Sequence, residues 1–202
     1  MGSNALMEFG HIRRMRDRRF PHEIAVIMPG EYFVSATPMI VSTVLGSCVS
    51  VCLRDPLVGV GGMNHFILTE PSSHSSADAW IESGRYGSYA MELLINEILK
   101  RGGRKPRLEA KVFGGGRIYQ GATDIGARNA AWAITYLEQE GLSIVKADVG
   151  DVYPRKVYFF TDTGRVLLKK LDSLHSRTLQ REEERYRSSL MQATVAGEVT
   201  LF

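Results

Sequence analysis

Residues 39–53 read MIVSTVLGSCVSVCL, and this stretch decides the fold class of the chain. Two runs rich in β-branched residues, Met39–Leu45 and Val49–Leu53, flank the Gly-Ser-Cys turn at residues 46–48. Such runs predict two strands joined by a turn. The glycine lets the backbone bend sharply and lets a substrate approach it closely. The pattern therefore predicts a strand–turn–strand unit that exposes Cys48 at the edge of a sheet, with a backbone N–H beside it.

Short apolar runs and glycine- or proline-containing breaks continue this pattern on both sides. Further strands are predicted at Ile24–Met28, Glu31–Ser35, Val58–Leu68, Leu108–Phe113, Ser143–Asp148, Val157–Thr161 and Arg165–Leu171. Apolar residues at helical spacing predict helices at Tyr86–Lys100 and about Ile125–Glu140, the second with Asp124 as its N-cap. The prediction is a single α/β (α+β) domain: a layered sheet sandwich with two long amphipathic helices packed outside.

Composition limits the class of protein. The chain has 202 residues, 44% of them hydrophobic and 23% charged, which suits one packed domain rather than two. The net charge of +3 is not by itself a nucleic-acid signature. Two cysteines cannot make a disulfide scaffold, so a reducing compartment is expected. No apolar run approaches the roughly 20 residues that span a bilayer, and we expect a cytoplasmic protein without membrane insertion.

The two ends of the chain differ from its middle. Residues 1–22 are predicted to be a solvated basic N-terminal arm whose first residues resemble a cloning remnant. Residues 173–202 form a charged C-terminal tail, in which 181–187 either makes a salt-bridged helix or stays disordered. The apolar end 199–202 is either a mobile tail or a docking peptide. The folded domain is therefore placed at residues 23–172.

Cys48 and His65 are the main candidates for chemistry. A thiol needs a base to act as a nucleophile at neutral pH. One strand out from Cys48, a turn at 55–56 and one strand back would bring His65 beside it, where it could shuttle the proton. The alternative is that Cys48 is a small core residue and His65 a hydrogen-bonded structural one. The sequence alone leaves both interpretations open.

Other candidate motifs are weaker. Cys52 is four residues along a strand from Cys48, too far for a disulfide, and is expected in the core. A zinc finger would need a second histidine at 69–71, where none occurs. The glycine run after Phe113 matches neither phosphate-binding pattern, and either shapes a pocket wall or is a plain tight turn.

Several motifs together resemble the chemoreceptor glutamine deamidase family, CheD. The stretch Leu45–Cys52 and the residues Gly61-Gly62-Met63-Asn64-His65 carry most of the likeness. Further matches are Pro29-Gly30-Glu31-Tyr32, Lys111-Val112-Phe113-Gly114-Gly115, Asn129 and Thr163-Gly164. The resemblance covers roughly residues 24–171, while the tail after Ser173 lies outside it.

This resemblance implies a cytoplasmic hydrolase of chemotaxis that converts glutamine side chains on chemoreceptor helices to glutamate, with release of ammonia and without a cofactor. Carried over by motif, Cys48 is the nucleophile and His65 the base. Ser42, six positions before the cysteine, takes the place of the hydroxyl residue that orients the histidine, although Thr43 stands next to it. The implied substrate-binding residues are Gly46, Ser47, Phe113, Gly114 and Gly115.

Two further implications concern partners and departures from the family pattern. The resemblance implies chemoreceptor helices and a CheC-like phosphatase as partners. The loop residues 149–151 and 153–155 depart from the family pattern and are expected to tune substrate choice. The competing hypothesis is a non-catalytic chemotaxis adaptor whose Cys48 is only structural. A nucleic-acid role through the arginine-rich arm is disfavoured.

Overall fold

Two five-stranded mixed sheets stack on each other in the computed structural model, which describes residues 9–68, 77–118 and 124–195. The strands are β1 (Arg13–Met15), β2 (Ile24–Val26), β3 (Tyr32–Ser35), β4 (Ile40–Leu45), β5 (Val49–Asp55), β6 (Val60–Asn64), β7 (Glu109–Gly114), β8 (Ser143–Val149), β9 (Arg155–Phe160) and β10 (Val166–Lys170). The helices are α1 (Ala77–Lys100), α2 (Ile125–Gln139) and α3 (Ser173–Val195), with a short 3-10 turn at Lys105–Arg107.

The first sheet has the strand order β1-β2-β4-β9-β10. Its only parallel pair among the described strands is β2 with β4, and β9 and β10 form the hairpin that the Asp-Thr-Gly turn at 162–164 predicts. The second sheet has the order β3-β6-β5-β7-β8, in which β7 and β8 run parallel and the other neighbours antiparallel. Strands β4 and β5, consecutive in the chain, therefore lie in different sheets.

The main core lies between the sheets and beneath two of the helices. Its buried cluster includes Val41 and Phe159 from the first sheet and Val51 and Leu53 from the second. Helix α1 packs on β3, β5 and β6, while α2 packs on β5, β7 and β8. Since both helices cover the second sheet, the layers run helices, second sheet, first sheet. The α+β sandwich predicted from the sequence is confirmed.

Local sequence explains the helix ends. The carboxylate of Asp124 accepts a hydrogen bond from the Ala127 amide at 2.9 Å, which confirms it as the N-cap of α2. Gly141 follows the last turn at φ +68°. Helix α1 begins at Ala77, nine residues before the predicted start. The sequence does not predict this first part because residues 77–85, ADAWIESGR, have no sustained apolar period. No helix among the described residues is long and apolar enough to cross a membrane.

Residues 9–15 and helix α3 join the domain more closely than the sequence predicts. Phe9 and Ile12 are buried in the main core, and β1 pairs with β2, so residues 9–15 are not a solvated arm. Of the two alternatives for residues 181–187, the structure has the helix, as part of α3. The segment 199–202, the possible docking peptide, lies outside the described residues.

Candidate functional site

The Gly-Ser-Cys turn at residues 46–48 is the crossing point between the two sheets. Strand β4 ends at Leu45 in the first sheet, and β5 starts at Val49 in the second. The side chains of Ser47 and Cys48 are buried. The turn is thus buried between the sheets and α3, whose Leu179 and Glu183 lie against Gly46, and the prediction that Cys48 is exposed at a sheet edge is wrong.

The glycine run after Phe113 supports this turn from behind. The amide of Gly115 donates to the Cys48 carbonyl at 2.8 Å, and the amide of Gly116 donates to the Gly46 carbonyl at 2.7 Å. Gly114 has φ +111°, and a Cβ there would collide with the Cys48 carbonyl oxygen. Of the two interpretations of this run, close backbone approach fits. The segment that the glycine run approaches closely is, however, the Gly-Ser-Cys turn at residues 46–48.

Two buried polar side chains fix the same region. Asn129 on α2 donates to the Ser47 carbonyl at 2.8 Å and accepts from the Leu68 amide at 2.9 Å. Arg155 on β9 donates to the carbonyls of Gly114 at 3.0 Å and Gly150 at 2.8 Å. The sequence predicts a role for Arg155 in substrate choice. Its side chain is fully buried, and it instead ties the glycine run to the 149–151 loop.

His65 lies directly after β6 and is bound by Thr43 on β4. The Thr43 Oγ1 atom is 2.8 Å from His65 Nδ1 and also donates to the Ile27 carbonyl at 2.8 Å. The motif comparison assigns this role to Ser42. Its hydroxyl is buried but has no hydrogen-bond partner among the described residues. The structure therefore brings Thr43, and not Ser42, to the imidazole.

The two bonds of Thr43 assign the tautomer of His65. A hydroxyl has one proton to donate, and the Ile27 carbonyl takes it, so Nδ1 of His65 must be the N–H that donates to Thr43. Nε2 then carries the lone pair, and it has no hydrogen-bond partner among the described residues. Burial lowers the pKa of His65 to about 3, so the ring is neutral at physiological pH.

Strand register brings Cys48 and His65 to one face. Val49 and Phe66 pair in antiparallel register, with both backbone hydrogen bonds at 3.0 Å. Cys48 and His65 each precede one member of this pair, so they are diagonal neighbours across the ladder, a geometry that long or aromatic side chains can span. The predicted strand–turn–strand link between them is confirmed, since β5 and β6 are antiparallel neighbours.

A carboxylate from the C-terminal helix fills the space beside Cys48. Glu183 Oε1 accepts from the amides of Gly46 at 3.1 Å and Cys48 at 3.3 Å. Its Oε2 accepts from the amide of Ser47 at 3.2 Å and from the Ser47 hydroxyl at 2.5 Å. Successive backbone amides that converge in this way form an anion-binding nest. Gly46 and Ser47, predicted to bind substrate, line this nest.

The thiol of Cys48 is strongly affected by its surroundings. Burial raises its pKa well above the usual range, and the Glu183 carboxylate, which also hydrogen-bonds the thiol, raises it further. The thiol is therefore protonated in this arrangement. A thiolate would need the carboxylate to leave and the proton to pass to a base.

Cys52 has a different environment. It lies on β5 with its side chain buried in the main core, and burial raises the pKa of its thiol. Both cysteines are free. The described residues contain no cluster of three or more histidine, cysteine or acidic side chains that could hold a metal.

A cavity gives access to His65 from the side of α3. It has a volume of about 220 Å³, and its walls include Ser42, Thr43, His65 and Leu179. A smaller space of about 50 Å³ reaches His65 from the side of α1. The imidazole is thus flanked by room for water or a small leaving group.

Sequence reasoning missed Glu183 altogether. Leu179, Tyr186 and Leu190 recur at helical spacing around it, and this stripe is the one signal that marks the buried face of α3. The resemblance carried no information here because it ended before Ser173.

A buried thiol, a neutral imidazole and a nest of backbone amides, brought together on a two-sheet α+β scaffold, are the groups that cysteine-dependent hydrolases use. A family model described as CheD chemotactic sensory transduction matches residues 68–170. The chain belongs to the CheD family.

Curated relatives align over nearly their whole length. The chain is 51% identical to a protein from Methylobacillus flagellatus, over 92% of this chain and 93% of the relative. It is 52% identical to one from Thiobacillus denitrificans, again over 92% and 93%. Both are named "Probable chemoreceptor glutamine deamidase CheD". A protein from Shewanella oneidensis, "Probable chemoreceptor glutamine deamidase CheD 1", is 47% identical over 94% and 92%. The resemblance seen in the motifs is confirmed.

Proposed function

We propose that this chain hydrolyses the side-chain amides of selected glutamine residues on chemoreceptors, as the names of its relatives describe. The products are a receptor glutamate and ammonia. One observation carries the proposal: a nest of three backbone amides lies beside Cys48, and the Cys48 and His65 side chains are on the same face of the sheet. Such amides are suited to an oxyanion.

The atoms support a two-step mechanism. Nε2 of His65 takes the thiol proton, and Sγ of Cys48 attacks the amide carbon while the nest holds the amide oxygen. The imidazolium returns its proton to the departing nitrogen, which leaves as ammonia, and a thioester remains. Water then gives its proton to Nε2 and attacks the thioester, which releases glutamate and restores the thiol.

Thr43 acts in this mechanism as a positioning residue. It holds Nδ1–H, which fixes the ring so that the lone pair of Nε2 is available. The same bond stabilises the imidazolium that forms when Nε2 accepts a proton. Asn129 is also a positioning residue, since it donates a hydrogen bond to the Ser47 carbonyl and thereby fixes the backbone that carries the amide nest.

The setting of this activity is proposed from the family. The substrate is a glutamine on the cytoplasmic helices of a chemoreceptor, which places the enzyme in the cytoplasm. A CheC-like phosphatase is a proposed further partner. No cofactor takes part in the steps above.

The test is to incubate the chain with a chemoreceptor cytoplasmic fragment and follow the fragment by mass spectrometry. Each converted glutamine adds about 1 Da because hydrolysis replaces the NH₂ group of the amide by an OH group. Cys48→Ala should give no gain, and the buried neighbour Cys52→Ala is the matched control. A fragment that binds the chain but gains no mass would favour the non-catalytic adaptor.

A further inference from the structure

Helix α3 presents one face to the domain. Leu179 and Glu183 are buried, and Tyr186 and Leu190 pack partly buried against the main core. Their spacing of four, three and four residues places them on one side of a helix. Residues 181, 182, 184 and 185 between them are exposed. The helix is thus docked by a narrow stripe, with Glu183 as its only buried acidic residue among those described.

The position of Glu183 coincides with the place that the proposed reaction gives to a substrate side chain. Both of its carboxylate oxygens accept from the amide nest, and the thiol of Cys48 contacts it. A glutamate side chain is also what hydrolysis of a glutamine leaves behind. Substrates of the proposed reaction are side chains carried on helices, as Glu183 is.

We propose that α3 is a built-in product mimic that occupies the glutamine site of its own domain and must swing away before a receptor helix can enter. This inference rests on the proposed function and adds its regulation. The site would alternate between a closed state, with Glu183 in the nest, and an open state that accepts a receptor glutamine.

Other contacts of the helix favour a device that can open. Leu179 lies close to Gly46, and the side chain of Gln180 donates to the Ile118 carbonyl. The hydroxyls of Tyr186 and Tyr86 are hydrogen-bonded to each other. Neither sheet includes any residue of α3, so the strand pairing of both sheets would remain if these contacts were lost.

The chemistry of the nest explains why the mimic is a glutamate rather than a glutamine. Backbone N–H groups only donate, and a carboxylate accepts with both of its oxygens. A glutamine in this place would still accept from the Gly46 and Cys48 amides with its oxygen, but its NH₂ group would face the Ser47 amide, so it would be held less tightly than the glutamate. The closed state is therefore held by the product form of the side chain.

The decisive test is Glu183→Gln, which turns the mimic into a tethered substrate. Attack by Cys48 Sγ on the introduced side-chain amide carbon, loss of ammonia and hydrolysis of the thioester would regenerate glutamate at position 183. Purified Glu183→Gln protein should therefore gain about 1 Da in the peptide that contains residue 183, by the same hydrolysis as on the receptor. The rate should not depend on protein concentration, because the reaction is intramolecular.

Two matched variants control this experiment. Glu184→Gln makes the same chemical change on the exposed side of the same helix and should keep its glutamine. Glu183→Gln combined with Cys48→Ala should also keep its glutamine, which separates conversion at the site from spontaneous deamidation.

A second measurement uses Glu183→Ala, which empties the nest without adding a reactive group. Its activity on a receptor fragment should exceed that of the unaltered chain by about tenfold if the closed state outnumbers the open state by that ratio. Glu184→Ala should leave the rate unchanged.

The outcomes separate this inference from the proposed function. If the chain deamidates a receptor fragment but the Glu183→Gln protein keeps its glutamine and Glu183→Ala is no faster, the product mimic is refuted and the deamidase stands. If the Glu183→Gln protein converts itself while every receptor fragment stays intact, the mimic is supported and the receptor substrate is refuted. If neither the tethered nor the receptor glutamine converts, both ideas fall.

Discussion

Replacing Thr43 by valine should separate positioning of His65 from its chemistry. Valine keeps the shape of threonine but leaves the Nδ1–H of the buried imidazole without its 2.8 Å partner. An unpaired buried donor costs about 1–3 kcal/mol. If that cost falls on the imidazolium-forming step, the rate drops about 5- to 150-fold, at about 1.4 kcal/mol per factor of ten. The Ile27 carbonyl also loses its hydroxyl partner, so the free energy of unfolding should fall as well.

Deamidation of a receptor fragment, followed by mass spectrometry at several fragment concentrations, gives kcat and KM separately. Thr43→Val should lower kcat with little change in KM, because in the proposed mechanism Thr43 acts through the His65 imidazole. Thr43→Ser retains the hydroxyl and should restore most of kcat, which a role in packing alone would not predict. Ser42→Ala should have little effect, since the Ser42 hydroxyl has no described hydrogen-bond partner. A kcat loss in Ser42→Ala as large as that in Thr43→Val would refute the assignment.

Three further expectations follow from the geometry. Cys48→Ala should abolish deamidation and Cys52→Ala should keep most of it; the reverse result, in the same mass assay, would mean that the wrong thiol has been assigned. His65→Asn should lower kcat by about 10²–10⁴, as loss of a general base does. The same residue should also affect stability, because burial lowers its pKa to about 3 in the folded protein. The free energy of unfolding of the wild type should therefore fall as pH drops below about 6.5, where the unfolded ring takes up a proton. Urea unfolding between pH 7 and 4 should show that the free energy of unfolding depends less on pH in His65→Asn than in the wild type. An equal pH dependence in the two proteins would contradict the argument from burial. Finally, the hydrogen bonds of Arg107 lower the pKa of Asp55 to about 2. Their contribution to the free energy of unfolding is therefore complete above about pH 4, where the unfolded carboxyl is ionised, and is lost as pH falls through 2. Asp55→Asn should remove this loss of stability in acid, and an unchanged acid unfolding transition would contradict the role of the Asp55–Arg107 pair.

The sequence predicts the strands well because β-branched runs and glycine-rich turns are local signals. It also predicts the second helix with its N-cap, Asp124. It does not predict the start of α1, since the residues before Tyr86 lack an apolar period. It misses strand β1 because the arginines there look solvated, although neighbouring Phe9 and Ile12 are buried in the core.

The site divides in the same way. Cys48 and His65 can be proposed from the turn and the strand spacing, which are local. The choice between Ser42 and Thr43 cannot be made from sequence, because adjacent residues on a strand point to opposite faces and only the packing of β4 decides which one meets the imidazole. The role of Glu183 cannot be predicted from the sequence, since no residue near it in the chain indicates a contact with residues 46–48.

The amide nest has a consequence for how this enzyme tolerates change. Its donors belong to the main chain, so replacing the buried Ser47 by alanine would remove only a hydroxyl and leave the three N–H groups in place. Loss would instead come from residues that shape the backbone path. A side chain at Gly46 would collide with Ile118 and Glu183, and one at Gly114 with the Cys48 carbonyl. Saturation mutagenesis should therefore show large losses of activity at these glycines, although the groups that bind the anion are backbone N–H groups that side-chain substitutions do not remove.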